Sequence, residues 1–461
     1  MNLSISQSEI TELTGKLSRF TQEVDDFGVG MIDKESFLID VRQYESMDWS
    51  RENLFNQLLG YFALANAYGQ LKSKTLDYTQ ADYDSEYVYK EVSYYHNIQY
   101  IVSRVAKEQW AALYLNAFSI SCRSYLSLAN AYDHLGRFCE AQQYYRESAR
   151  DRRNVADVEF NQGFCYANIH AFWTEEEPWI VRKAQQLLTK YAERYDEQAP
   201  GLRAKVCSWP APSFDVPLAD YGIMPECEYE YWVNSNFLRL NRFCDIEPLS
   251  QLSVADNVKL KDIWDTKERK ELFTSSFDEI KQTFIDSRKL MFSAIGSTNN
   301  VDVTLLKMTY KSFYSILDKI ALFLQAYLSI PIETYKTDFA SIWTDKKNNI
   351  RSEFLAHSQN LSLLALYNIK LDVYGSKSFK YVIDEQTKDL QRVRNFIEHK
   401  IVIVQDGPMI YDEYRLKISK SELTIDTVRL AQLVRCAIIY LCNFVMHAEY
   451  DKIDNLKKKR Q

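Results

Sequence analysis

The chain has 461 residues and a mass of 54.2 kDa, which at roughly 150 residues per domain suggests two or three domains. Only 12 Gly and 9 Pro occur, against roughly 7% and 5% in ordinary proteins. That depletion excludes collagen, glycine-loop dinucleotide folds, β-sandwiches and long disordered tails, and favours long helices with short connections. The net charge of −7 is unevenly spread: residues 271–461 carry 27 Lys+Arg against 23 Asp+Glu, and residues 1–270 carry 29 against 40. The C-terminal part therefore tolerates a polyanion better than the N-terminal part.

An octapeptide is repeated along the first part of the chain. Tyr61-Phe-Ala-Leu-Ala-Asn-Ala-Tyr68 recurs as Tyr125-Leu-Ser-Leu-Ala-Asn-Ala-Tyr132. The second copy continues with Gly136, Ala141 and Tyr145, at the spacing of a 34-residue helix–turn–helix unit. Ala129 and Ala141 are small where two helices would touch, and Tyr132 and Tyr145 fill the space beside them. One step of 34 residues further on, Gly163 and Tyr166 take the places of Ala129 and Tyr132, which predicts a third unit. The pattern resembles a tetratricopeptide repeat. The interval between the first two copies leaves room for a degenerate unit around the Tyr-rich stretch Tyr78–Tyr100.

The repeats give way to a stretch holding Pro200, Pro210, Pro212, Pro217 and Pro225, through which helices cannot run. Asn241–Leu252 also reads as irregular. The predicted division is a repeat domain over 1–250 and a second domain over 251–461. Beyond it, apolar periodicity predicts helices at about 270–295, 303–329, 384–405 and 424–448, the material of a helical bundle. The stripe on the second is Leu305, Met308, Phe313, Ile316, Ile320, Phe323 and Leu324. The insert Ile330–Tyr381 is longer than a bundle connection and carries a short helix around Leu361–Asp372. The predicted fold class is thus all-α.

The eight cysteines, at 122, 139, 165, 207, 227, 244, 436 and 442, show no C-x2-C pair. Met1–Glu9 is mostly polar, unlike a secretory signal. The expectation is reduced thiols in a cytoplasmic protein. The longest charge-free apolar stretch near the C-terminus, Cys436–Ala448, is 13 residues, short of the roughly 20 that a membrane span needs. No membrane association, cofactor or metal is predicted. Gly-rich phosphate loops, H-E-x-x-H, acidic metal clusters and G-x-S-x-G do not occur.

The segment Leu390-Gln-Arg-Val-Arg-Asn-Phe-Ile-Glu-His399-Lys400 carries the chemistry. On a helix at about 100° per residue, Val393, Phe396, Ile397, Ile401 and Val404 share an apolar face. Asn395 and Arg392 project near His399 on the polar side, at about 40° and 20° from it. Arg394 lies about 140° from His399 and one turn before Glu398. Imidazole for proton transfer, guanidinium for phosphate and amide for orientation make an anion-handling set. The Arg-to-His spacing alone is not selective, since Arg351…His357 also satisfies it.

With its context, Arg394-Asn395-Phe-Ile-Glu-His399 resembles the R-x4-6-H motif of the HEPN superfamily (higher eukaryotes and prokaryotes nucleotide-binding). The resemblance extends to Trp232 and Leu238-Arg-Leu-Asn241 with Asp245 and Pro248, and to Ile280–Phe284 with Arg288. It continues through Ser315–Ala321, then Asn360 with Ala365–Tyr367 and Asp372. These blocks look like those of a bacterial branch in which HEPN follows tetratricopeptide-like helices, and they span about residues 230–450.

The resemblance implies a metal-independent endoribonuclease acting as a homodimer or higher even oligomer, with two motifs facing each other over RNA. It assigns proton exchange to His399, phosphorane stabilisation to Arg394, and orientation of a phosphate oxygen or of His399 to Asn395. Arg392 and Lys400 are supporting phosphate contacts. Helix geometry favours Arg392 as the partner of His399, whereas the family pattern favours Arg394, because the residue after Arg392 is the apolar Val393. Glu398 reads as a surface charge rather than a tether for Arg394. By analogy the protein is a toxin or anti-phage effector, with an unknown protein or peptide trigger on the repeats. The competing reading is a non-catalytic scaffold or nucleotide sensor. A peptide-responsive transcription regulator is weaker still, since no DNA-binding helix-turn-helix is recognisable.

Overall fold

A chain so poor in glycine and proline has little to interrupt its helices, and helices dominate what it forms. The structure is a computed structural model that describes residues 7–49, 52–74, 83, 85–104, 107–173, 178–194, 201, 227–246, 253–295, 302–374, 387 and 389–458. The prolines from Pro200 to Pro225, and Cys207, lie outside the described residues. Apart from one small sheet the fold is all-α.

The first helices are α1 (Gln7–Gly28), α2 (Lys34–Glu45) and α3 (Leu54–Ser73). Asp33 starts α2 by accepting from the backbone N–H groups of Glu35 and Ser36, which satisfies donors that the first helical turn leaves free. Phe20, Phe27, Phe37, Val41, Leu64 and Tyr68 form a separate apolar cluster among these three helices.

Successive pairs follow: α3 packs on α4 (Glu86–Arg104), α5 (Lys107–His134) on α6 (Phe138–Ser148), and α7 (Val155–Trp173) on α8 (Pro178–Arg194). Ala129, Tyr132, Ala141 and Tyr145 are all buried between helices, as the repeat spacing predicts. A Cβ on Gly163 would sit 2.7 Å from Leu188 Cγ, so the small residue there is required by the approach of α7 to α8. The Tyr-rich stretch holds α4, the partner of α3. The two octapeptides thus head consecutive helix pairs, with no complete pair between them among the described residues.

α9 (Glu228–Ser235) precedes Asn241, and the described start of the segment Asn241–Leu252 is a 3-10 turn over Arg242–Asp245, started by the Asn241 side chain accepting from Phe243 N–H, while residues 247–252 lie outside the described ones. Beyond it come α10 (Lys267–Ile295), α11 (Val303–Leu328), α12 (Leu361–Tyr374), α13 (Leu390–His399) and α14 (Lys420–Lys458). The buried face of α11 runs Leu306, Tyr310, Phe313, Leu317, Ile320, Leu324, while Met308 is exposed. The expected stripe therefore starts in the wrong phase and is correct only from Phe313 onward.

Nearly every residue of α14 from Leu430 to Met446 is buried, the pattern of a helix covered on all sides. It is the one helix among the described residues long and apolar enough to cross a membrane, and 83% of its most apolar window is buried inside the protein. One apolar cluster includes Leu128, Tyr132 and Phe138 from the helix pairs together with the cores of α10 to α14. The core is thus continuous across residue 250.

Polar contacts bind the two parts at the same place. Arg435 donates to both carboxylate oxygens of Asp245 at 2.6 Å and to the carbonyl of Asn241, all buried. Gln143 and Arg146 of α6 reach Asp245 from the other side. Arg288 of α10 likewise donates to the Leu238 carbonyl and to the Asp256 carboxylate, so the blocks around Asn241, Asp245 and Arg288 are structural fasteners. Cys122, Cys139, Cys165, Cys227, Cys244, Cys436 and Cys442 are free thiols.

Candidate functional site

α13 is short and strongly two-faced. Leu390, Val393 and Phe396 are buried and Ile397 is partly buried against them. Tyr310 of α11 donates its O–H to the Leu390 carbonyl at 2.7 Å, which pins the start of the helix. The helix was expected to continue to about residue 405, and it does not. It ends at His399, Lys400 is extended, and Ile401–Val404 forms strand β1. Ile-Val-Ile-Val is a run of β-branched side chains, which are restrained on a helix and suited to a strand, and pairing with Arg415–Ile418 decides for the strand. β1 pairs in parallel with β3 (Arg415–Ile418), and β2 (Ile410–Tyr411) pairs antiparallel with β3, giving the order β1-β3-β2.

The end of α13 brings Arg394, Asn395, Glu398 and His399 together. Arg394 Nη2 lies 2.9 Å from Glu398 Oε2, and the same oxygen lies 3.5 Å from His399 Nε2. One carboxylate therefore spans two side chains that the helical wheel sets far apart. Arg394 Nη1 also donates to Asn395 Oδ1 at 3.2 Å, and the guanidinium sits 5.3 Å over the Tyr314 ring. Its Nε is buried without a hydrogen-bond partner among the described residues, the kind of unmet donor that functional sites tolerate. Tyr314 is braced edge-on by Tyr374 at the end of α12, 5.5 Å away.

Asp318, one turn beyond Tyr314, accepts from Phe339 N–H at 3.1 Å. Burial, the nearby Asp338 and Glu398 raise its carboxyl above the ordinary carboxylate range, while Phe339 N–H and Arg394 oppose the rise. His399 itself is 66% exposed.

Arg392 goes elsewhere. It donates to Asp389 and lies 4.1 Å over the Tyr411 ring. Of the two arginines it is Arg394 that shares a neighbour with His399, although Arg392 is better aligned on the wheel. The side chains are long enough for their heads to be placed by partners rather than by the position of Cα. Lys400 is exposed, its Nζ 4.7 Å over Phe396. Glu398, read from sequence as a surface charge, is instead the tether of Arg394, and its i,i+4 spacing was the available signal. Tyr314, Asp318 and Tyr411 carried no such signal, because they come to α13 from α11 and β2.

Residues 263–449 match the family model described as LA2681-like HEPN. This part of the chain is a HEPN domain. No curated protein and no solved structure matches the chain. Within the HEPN domain Arg394…His399 has the spacing R-x4-6-H and lies at the junction of α13 and the small sheet.

His357, His447 and His96 have partners away from this motif. His357 packs edge-on against Phe444 at 5.5 Å. His447 on α14 is held neutral mainly by burial, which with Arg242 brings it down to about 4. His96 is hydrogen-bonded to the Tyr132 hydroxyl at 2.7 Å. The side chain of His170 lies outside the described residues.

Proposed function

We propose that the protein is a metal-independent endoribonuclease whose HEPN domains pair, so that two Arg394…His399 motifs flank one RNA phosphodiester. One His399 takes the proton from the ribose 2′-hydroxyl as its oxygen bonds to phosphorus. The bond from phosphorus to the 5′-oxygen breaks, and the second His399 gives that oxygen a proton. One motif has one imidazole, so the base and the acid come from two copies. Arg394 stabilises the charge that builds on the phosphorane and Asn395 orients it. Arg392 and Lys400 hold neighbouring phosphates.

The observation that carries this reading is the junction itself. His399 is exposed at the end of a short buried-face helix, and Arg394 is positioned beside it through Glu398 and Tyr314. By analogy with the family, the activity serves as a toxin or anti-phage effector, with the helix pairs sensing the trigger.

The pairing of Arg392 with Asp389 and of Arg394 with Glu398 favours a second reading, a non-catalytic scaffold or nucleotide sensor. Labelled RNA incubated with purified protein separates the two. Cleavage that survives EDTA and is abolished by His399→Ala, with fold and oligomer intact, is the expected result. Equal cleavage by the variant, or none by the wild type, removes the catalytic reading.

A further inference from the structure

Arg394 has a long side chain with many rotamers, and whatever fixes its guanidinium decides whether that group can meet a phosphorane. Two of its contacts, Glu398 at 2.9 Å and Asn395 at 3.2 Å, come from its own helix. They set the head relative to α13 but not relative to the rest of the domain. The contact that ties it to another element is the Tyr314 ring of α11, 5.3 Å away. A ring attracts a cation through its π face. It therefore holds the plane of the guanidinium and leaves N–H groups on the edge for a phosphate. Tyr314 is itself 2% exposed, and Tyr374 meets it edge-on at 5.5 Å.

Tyr374 ends α12, and the helix pairs grip α12 along its length. The turn at Gly136 lies against the backbone of Leu361, the first residue of α12. Tyr83, just ahead of α4, packs edge-on against Tyr367 at 5.2 Å. Arg137 pairs with Asp372 at 2.5 Å. The carbonyl of Asp372 accepts from the Thr387 hydroxyl at 2.9 Å, and the Thr387 carbonyl accepts from Leu390 N–H at 3.0 Å. The end of α12 thus sets both the ring beneath Arg394 and the start of the helix that carries it.

We propose that Tyr314 is the positioning residue of Arg394, and that the helix pairs set its ring through α12, so that the packing of the helix pairs is read out in kcat. The inference rests on the reading of Arg394…His399 as an RNA-cleaving motif. It gives the helix pairs a control that acts on the guanidinium rather than on RNA binding. A shift of α12 moves the seat of Arg394, and a misplacement of about 1 Å costs up to a hundredfold in rate. The route is a contiguous set of packed groups, and coupling energies are its test.

The test compares single and double variants of the full-length protein by kcat and KM on a labelled RNA. Tyr314→Leu should lower kcat about tenfold, with KM within about twofold of wild type. Tyr314→Phe, which keeps the ring, should restore kcat to within about threefold. Tyr374→Leu on α12 and Tyr83→Leu on the helix-pair side should each lower kcat about three- to fivefold. In an Arg394→Ala background none of the three leucine changes should lower kcat further.

Equal losses in the two backgrounds overturn the positioning role, because damage that does not pass through Arg394 is damage to packing. So does a Tyr314→Phe protein as slow as Tyr314→Leu. Normal kcat in Tyr83→Leu, with Tyr374→Leu slow, overturns the link to the helix pairs. If circular dichroism shows Tyr314→Leu unfolded, Tyr374→Leu at the half-buried end of α12 carries the same comparison. Wild-type protein that cleaves no RNA defeats the proposed activity and this inference with it, whereas an active wild type with unaltered kcat in Tyr314→Leu defeats this inference alone.

Discussion

Arg137 Nη1 and Asp372 Oδ2 lie 2.5 Å apart with side-chain exposures of 1% and 0%. The first residue leads α6 and the second is on α12, 235 positions away. Arg137 also donates through Nε and Nη2 to Glu140, which accepts from the Tyr440 hydroxyl. Two residues after Asp372, Tyr374 braces the Tyr314 ring beneath Arg394. The helix pairs and the motif are therefore joined through one helix. Removing one member of a buried ion pair leaves the other charge without compensation, at about 3–5 kcal/mol. Arg137→Met should lose stability of that order in urea unfolding. Arg137→Met with Asp372→Leu should recover part of it.

Gly136, one residue earlier, has φ +72°, and a Cβ there would lie 2.2 Å from the Leu361 carbonyl oxygen. Both the left-handed backbone and the contact with backbone at the start of α12 demand glycine. Gly136→Ala should cost about 2 kcal/mol or more, seen as a lower Tm. An unchanged Tm would mean that the turn does not dock on α12 in solution.

The placement of the two arginines separates their roles. Arg394 shares Glu398 with His399, while Arg392 is turned to Asp389 and Tyr411. Arg394→Ala should lower kcat on RNA by about a hundredfold or more, the scale of losing one donor to transition-state charge. Arg392→Ala should raise KM a few-fold with little change in kcat. The reverse pattern would reassign the phosphate-stabilising role to Arg392.

Asp426, near the start of α14, has its carboxyl pushed up to about 7, first by burial and then by Asp389 and Glu422. An unfolded Asp releases its proton near about 3.9. Between these values the native state binds more protons than the unfolded one, so stability falls as pH rises through the window. The penalty is complete above about pH 7 and relieved toward pH 4. Asp426→Asn should raise Tm at pH 8, by at most a few kcal/mol of stability, and change it little near pH 4. Equal shifts at both pH values would contradict the assignment.

Much of this protein was legible in one dimension. Apolar periodicity gave α10 and α11 nearly to their ends, because a helix face shows itself every 3.6 residues whatever covers it, but it stopped α14 ten residues short, at 448 rather than Lys458, where the apolar pattern gives way to charged residues. The octapeptide and the small residues at Ala129, Ala141 and Gly163 announced helix pairs in contact. The spacing of Arg394-Asn395…His399 was legible as a pattern. What sequence could not decide was set by partners far along the chain. The periodicity of Val393 to Val404 reads equally as helix, and only pairing of Ile401–Val404 with Arg415–Ile418 makes it a strand. Arg394 and Arg392 are one local pattern, and Tyr314, Glu398, Asp389 and Tyr411 choose between them. The joining of the helix pairs to the HEPN domain depends on Arg137 with Asp372 and Arg435 with Asp245, 235 and 190 residues apart. Local sequence fixes which side of an element avoids water; the identity of the group that meets it is a property of the folded whole.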